Sequence, residues 1–181
     1  MNEKWLSVPD AASQMGISDA DLFKKALGGE LTLSVRFITE GRGKICTGSL
    51  TMPEAKEMHG GQINERLATN GEAVRLNGIY DLPMLGAERE RVEIEYLNRL
   101  DDKHAASVHI ETHKSAYVKD TDGTIYELQT FMFFSHIKPG EVYDTEQPIG
   151  RFIPTGELAN FQFVVRESEL RRTEAIDDEN H

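Results

Sequence analysis

The pattern of apolar and polar positions is clearest in the first forty residues, where it predicts two short helices followed by a strand. Ser7 stands at a capping position with an acidic residue three places on, and Gly16 is placed to end the first helix. The same spacing returns at Ser18, and a second helix would end at Gly28. Apolar residues at alternate positions then predict a strand with one buried face: Leu31, Leu33, Val35 and Phe37.

Further along the chain the same reasoning predicts mostly strands. Residues 40–43 are expected to form a turn that leads to a short strand at 44–47. Asp122-Gly123 is typical of a hairpin turn between strands at 107–118 and 124–134, and a last strand is expected at 161–165. Residues 86–100 stay open, because residues 91–96 alternate like a strand whereas their Glu and Arg residues favour a helix.

These elements predict an α+β protein with an N-terminal winged helix-turn-helix-like unit and a mostly antiparallel β domain. The helix-turn-helix-like unit and its β wing are assigned to residues 1–50, and a connecting segment to residues 51–72. The β-rich domain covers residues 73–166, and residues 167–181 are expected to form a short helix and an acidic tail.

The charge is unevenly distributed along the 181 residues. The first 45 residues carry six basic and six acidic side chains, so the whole net charge of −11 comes from the rest of the chain. Such an acidic body favours solubility, a basic protein partner, or imitation of nucleic acid. It opposes DNA binding, which depends on Lys and Arg that neutralise phosphates.

Residues 5–37 resemble the helix-turn-helix unit of excisionases and of the related MerR-type winged helices. The resemblance rests on the capped first helix with Ala11-Ala12, on the turn Met15-Gly16-Ile17-Ser18, and on the strand that follows the second helix. It implies that the second helix lies in the DNA major groove and that the following hairpin, the wing, contacts the backbone. By position it assigns DNA contacts to six residues: Ser18, Lys24, Lys25, Arg36, Arg42 and Lys44.

The residues directly after the second cap depart from that family. Asp19, Ala20 and Asp21 stand where its members usually carry basic or amide side chains that read base edges. Carboxylates suit the N-terminal end of a helix but face phosphates badly. The alternative interpretation is therefore that the helix pair packs in the fold or binds protein.

Sequence motifs for catalysis, cofactors and metals are not found. His109, Glu111 and His113 share one face of a predicted strand, but residues four apart on a strand lie about 13 Å apart, too far for one ion. Single Cys46 excludes a disulfide framework. We therefore expect no enzyme activity, no cofactor and no metal.

Aromatic residues on both faces of the strand at 124–134 have two interpretations. Phe131 and Phe133 lie on the face opposite Tyr126 and Leu128. Either the strand is central and buried on both sides, or Phe131 and Phe133 form an exposed patch that binds a partner or a second copy.

Two function hypotheses follow. The first is a small DNA-binding accessory or regulatory protein of excisionase-like type, from a phage or another mobile element, acting as a dimer. The alternative is an acidic protein-binding module or inhibitor that occupies a basic nucleic-acid-binding groove of a partner protein. In both cases we expect a cytoplasmic protein, because the sequence shows neither a signal peptide nor a membrane span.

Overall fold

The computed structural model describes residues 3–51, 66–100, 114–133 and 150–171, without the side chains of residues 48–51, 66, 132–133 and 150–151. The helices are α1 (Val8–Met15), α2 (Asp19–Leu27) and α3 (Ala87–Leu100), and residues 167–171 add a helical turn. The strands in chain order are β1 (Trp5–Ser7), β2 (Ser34–Phe37), β3 (Gly41–Thr51), β4 (Arg66–Leu76), β5 (Ile79–Asp81), β6 (Tyr117–Lys119), β7 (Ile125–Phe133), β8 (Gly150–Pro154) and β9 (Phe161–Arg166). The α+β class with a mostly antiparallel sheet is therefore confirmed.

Both predicted helix caps are present. The Ser7 hydroxyl accepts the Asp10 N–H, and the Ser18 hydroxyl accepts the Asp21 N–H at 3.1 Å. Gly16 ends α1 in the left-handed conformation, at φ 66°, which glycine adopts without the steric penalty of a side chain. The two-helix part of the sequence prediction is thus confirmed.

The sheet joins strands that are far apart in the sequence. Its order is β1-β9-β2-β5-β6-β7-β3-β4, and β8 pairs with the far end of β7. The pairs within the described part of the chain are antiparallel. Strands from residues 1–50 and from residues 73–166 therefore share one sheet.

The wing predicted after the second helix is wrong. The two edges of β2 pair with β5 and β9, whereas β3 pairs with β4 and β7. The chain after β2 is also occupied, since Phe37 N–H donates to Gly78 C=O and Ile38 N–H donates to Asn160 C=O. Because both sides of β2 are taken by distant segments, β2 and β3 cannot form a hairpin.

The glycine-rich segment at 40–43 is strand rather than turn, because β3 begins at Gly41. A Cβ at Gly43 would lie 2.7 Å from Leu76 Cδ1 and 3.0 Å from Tyr126 Cβ. The glycine therefore allows close packing of neighbouring side chains. Residues 66–72 of the predicted connecting segment are also strand, since they belong to β4.

The structure resolves the open assignment of residues 86–100 as helix α3. Ion pairs four residues apart support it, with Arg89–Glu93 at 3.2 Å and Arg91–Glu95 at 3.0 Å. The hairpin turn at Asp122-Gly123 and the last strand are confirmed. Residues 101–113, with the histidines of the rejected metal site, and residues 172–181, with the acidic tail, lie outside the described residues.

The helices pack on one face of the sheet. Phe23 of α2 contacts Phe163 of β9 edge-on, with ring centroids 5.4 Å apart, and Phe163 is the register partner of Val35. Val35 therefore lies on the helix face, and the core on this face includes Leu22, Phe23, Leu82, Val92 and Val118. Residues that alternate with these along the strands lie on the opposite face of the sheet.

Candidate partner interface

The N-terminal end of α2, where a recognition helix would read bases, is partly occupied by α3. The Asp19 carboxylate lies 3.7 Å from the Arg99 guanidinium, which also stacks over the Phe23 ring at 4.5 Å. Asp21 is exposed, and its hydrogen bond from the Ser18 hydroxyl lowers its pKa, as do Lys24 and Lys25 more weakly. An ionised carboxylate thus stays at the place where a phosphate would approach.

The basic residues of α2 are in different situations. Lys24 is exposed, whereas the Lys25 ammonium lies 2.9 Å from the Glu30 carboxylate. Ser18 is engaged as the helix cap, where its hydroxyl also donates to Asp21 at 2.7 Å. Of the three DNA contacts predicted on this helix pair, Lys24 is the one that a phosphate would reach most directly.

The three basic residues assigned to the wing lie on the opposite face of the sheet. Arg36 alternates with the buried Val35 and Phe37, so it points away from the helices. Arg42 and Lys44 flank Gly43, whose partner Leu128 belongs to the core on the helix face. β2 and β3 are four strands apart, which is roughly 19 Å across a sheet. The predicted set of six residues therefore does not form one surface.

Arg42 belongs instead to a mixed aromatic and charged surface that we call the arginine–phenylalanine patch (Arg42, Arg75, Phe131 and Phe152). Phe131 of β7 and Phe152 of β8 are register partners, and their rings meet edge-on at 5.2 Å. The Arg42 guanidinium lies 5.6 Å from the centre of the Phe152 ring. Phe131 keeps 39% of its surface exposed, so the burial predicted by the central-strand interpretation is incomplete.

Glu40 links the two arginines of this patch. Its carboxylate lies 2.9 Å from Arg42 Nη2 and 3.2 Å from Arg75 Nε. The link holds two guanidinium groups next to exposed aromatic carbons, and this composition is enriched at protein interfaces. The sequence pointed to Phe131, but it did not pair that residue with Arg42. The side chain of Phe133, the second predicted partner residue, lies outside the described side chains.

Buried polar groups lie on the same sheet face as Arg42 and Lys44. The Glu127 side chain is fully buried and accepts hydrogen bonds from Ser115 Oγ at 2.6 Å and from Gln129 Nε2 at 3.1 Å. Tyr117 lies beside it, and its hydroxyl accepts the Leu67 N–H at 3.0 Å. Sequence analysis missed this cluster, because a glutamate in a strand is expected to be exposed.

The thiol and the phenol near Glu127 are held in their protonated forms. Burial raises the pKa of the Cys46 thiol to about 11, and the Glu127 carboxylate adds to the rise. Burial, followed by the same carboxylate, raises the pKa of Tyr117. A thiol at this pKa is a poor nucleophile at neutral pH, so the cluster offers polar contacts rather than covalent catalysis.

Glu88, in the first turn of α3, was also missed. Its Oε1 accepts the N–H groups of Leu85 at 2.6 Å and Gly86 at 2.9 Å, and its Oε2 accepts that of Tyr117 at 2.9 Å. Burial raises the pKa of Glu88, and these N–H contacts limit the rise. The residue joins the start of α3 to β6 and therefore has a structural role.

Comparison with protein-family models, curated protein sequences and solved structures finds no match for this chain. Within the described ranges, His, Cys, Asp and Glu side chains do not gather into a group of three or more that could hold a metal ion. The helices described here are too short or too polar to cross a membrane.

Proposed function

We propose that this chain is an acidic protein-binding module that recognises a basic partner through the arginine–phenylalanine patch. The observation that carries the proposal is the exposure of Phe131 beside the stacked Arg42 and Phe152 side chains. Aromatic and arginine side chains supply most hot spots in protein interfaces, because they bury a large area while keeping polar contacts. Phe131 would enter an apolar pocket of the partner.

The net charge of −11 defines the rest of the partner surface. An acidic body speeds the approach of a basic protein and opposes an acidic one. The partner class that fits is a protein with a basic surface around an apolar pocket, such as a nucleic-acid-binding protein whose basic groove the chain would occupy. We place this module in the cytoplasm.

The proposal is tested by affinity capture with three tagged forms of the full chain: wild type, Phe131→Asp and Val74→Asp. Val74 is the matched control, because it is also 39% exposed but lies on the helix face of the sheet, opposite Gly43. Quantitative mass spectrometry should show a basic protein captured by wild type and Val74→Asp and lost with Phe131→Asp. Equal capture by the two variants would overturn the proposal, and sedimentation of the same proteins reports any homodimer.

DNA binding by α2 is the second candidate, because the capped helix pair matches the excisionase-like turn around Gly16. Lys24 and Lys25 would anchor the backbone, since lysine is a point charge without a bidentate fork. Fluorescence anisotropy with random duplex DNA at low salt tests it. Replacing both lysines with Glu should weaken binding and flatten its salt dependence, whereas Lys119→Glu on the other sheet face should not. Unchanged affinity with the double variant would refute this candidate.

A further inference from the structure

A cleft of about 390 Å³ lies on the helix side of the molecule, where β2 and β5 separate. The last contact between the two segments is the hydrogen bond from Leu82 N–H to Leu33 C=O at 2.9 Å. Beyond it, one chain passes through Leu31 and the other through Met84, and both line the cleft together with the C-terminal end of α2. Buried Leu31 and Leu82 make the floor of the cleft apolar.

The rim of the cleft carries a guanidinium with donors to spare. Arg89 Nε donates to Glu93 at 3.2 Å, while its two terminal nitrogens make no hydrogen bond to any residue that the structure describes. Those terminal N–H groups form the fork that binds carboxylates bidentately. The cleft thus pairs an apolar floor with a carboxylate-binding group.

Met84 adds unpaired main-chain groups to the same cleft. Its φ of 57° lies in the left-handed region, which a residue with a side chain adopts at a steric cost. Neither its N–H nor its C=O forms a hydrogen bond with the described part of the chain. A donor and an acceptor of main-chain type are therefore available between the apolar floor and the surface.

We propose that this cleft binds the C-terminal residue of a peptide or protein whose last side chain is aliphatic. The terminal carboxylate pairs with Arg89, the side chain covers Leu31 and Leu82, and the last amide lies against the main chain of Met84. A volume of about 390 Å³ is at the lower end of ligand sites, so it suits one or two residues. This site is separate from the arginine–phenylalanine patch, and its occupant does not depend on the proposed function.

The test is a ¹⁵N NMR titration of the full chain with N-acetyl-L-leucine, a minimal C-terminal leucine. We expect millimolar binding, with amide shifts at Gly28, Gly29, Thr32 and Met84. N-acetyl-leucinamide, which lacks the carboxylate, should bind about fivefold more weakly or worse, because it loses the charge-assisted pair with arginine. Arg89→Gln should remove that preference, whereas Arg75→Gln on the other sheet face should keep it.

Three results would overturn the proposal. The first is the absence of shifts at the cleft up to solubility-limited N-acetyl-L-leucine, and the second is equal binding of the acid and the amide. The third concerns isocaproate, which carries the same branched chain and carboxylate without the acyl amide. If isocaproate binds as tightly as N-acetyl-L-leucine, the cleft is a site for free apolar acids rather than for a peptide end.

Discussion

Replacing Glu88 with Gln should destabilise the fold more than any other exchange of a described glutamate for glutamine on α3. The wild-type carboxylate accepts three main-chain N–H groups, two at Oε1 and one at Oε2. An amide has one oxygen, so its NH₂ group faces at least one N–H donor and leaves it unsatisfied in a buried site. An unsatisfied buried donor costs about 1–3 kcal/mol, so we expect a loss of about 2 kcal/mol.

Urea unfolding followed by far-ultraviolet circular dichroism measures this loss. With a denaturant slope of about 1–3 kcal/mol/M, a loss of about 2 kcal/mol lowers the midpoint by about 1 M. Glu93→Gln is the control, because Glu93 forms an exposed ion pair with Arg89 that contributes at most about 0.5 kcal/mol. Hydrogen exchange should also quicken at the Tyr117 amide in Glu88→Gln alone. Equal midpoints for the two variants would refute the argument.

Three further predictions concern pH, packing and thiol chemistry. Because burial raises the pKa of Glu88 above 4.5, the folded state holds that proton more tightly, and the unfolding free energy of wild type relative to Glu88→Gln should fall as the pH rises from about 4.5 through the folded pKa; urea titrations that show a rise would contradict this. Gly86→Ala should prevent folding, since its Cβ would collide with the Ser115 carbonyl oxygen, whereas Gly16→Ala should cost only about 1 kcal/mol for its positive φ; thermal unfolding compares them, and similar melting temperatures would refute the argument. Cys46, with a pKa of about 11, should react with a disulfide reagent at about pH 8 at least about 100-fold more slowly than the unfolded chain, and equal rates would show that the thiol is accessible and ionised.

Local features of the fold could be predicted from the sequence because their signals lie within a few residues. The caps at Ser7 and Ser18, the end of α1 at Gly16 and the turn at Gly123 each depend on one short stretch of chain. Strand pairing could not be predicted in this way. β2 pairs with a strand that begins at Phe161, and nothing near residue 34 in the sequence announces that partner.

The candidate interface shows the same limit. Phe131 stood out because aromatic residues lay on both faces of one predicted strand. Its partners Arg42 and Phe152 come from strands about ninety and twenty residues away, and they meet only through the register of β3, β7 and β8. The residues assigned to DNA contact were grouped by a predicted wing, and they separate once β2 and β3 pair elsewhere.

The most direct test of the protein-binding account is the capture experiment repeated after nuclease digestion of the cell extract. If the chain binds protein through Phe131, digestion should leave the captured basic partner unchanged. The amount captured by Phe131→Asp should then fall at least about tenfold below that captured by Val74→Asp, which corresponds to about 1.4 kcal/mol of interface energy. Release of the partner by nuclease, or equal capture by the two variants, would contradict the account.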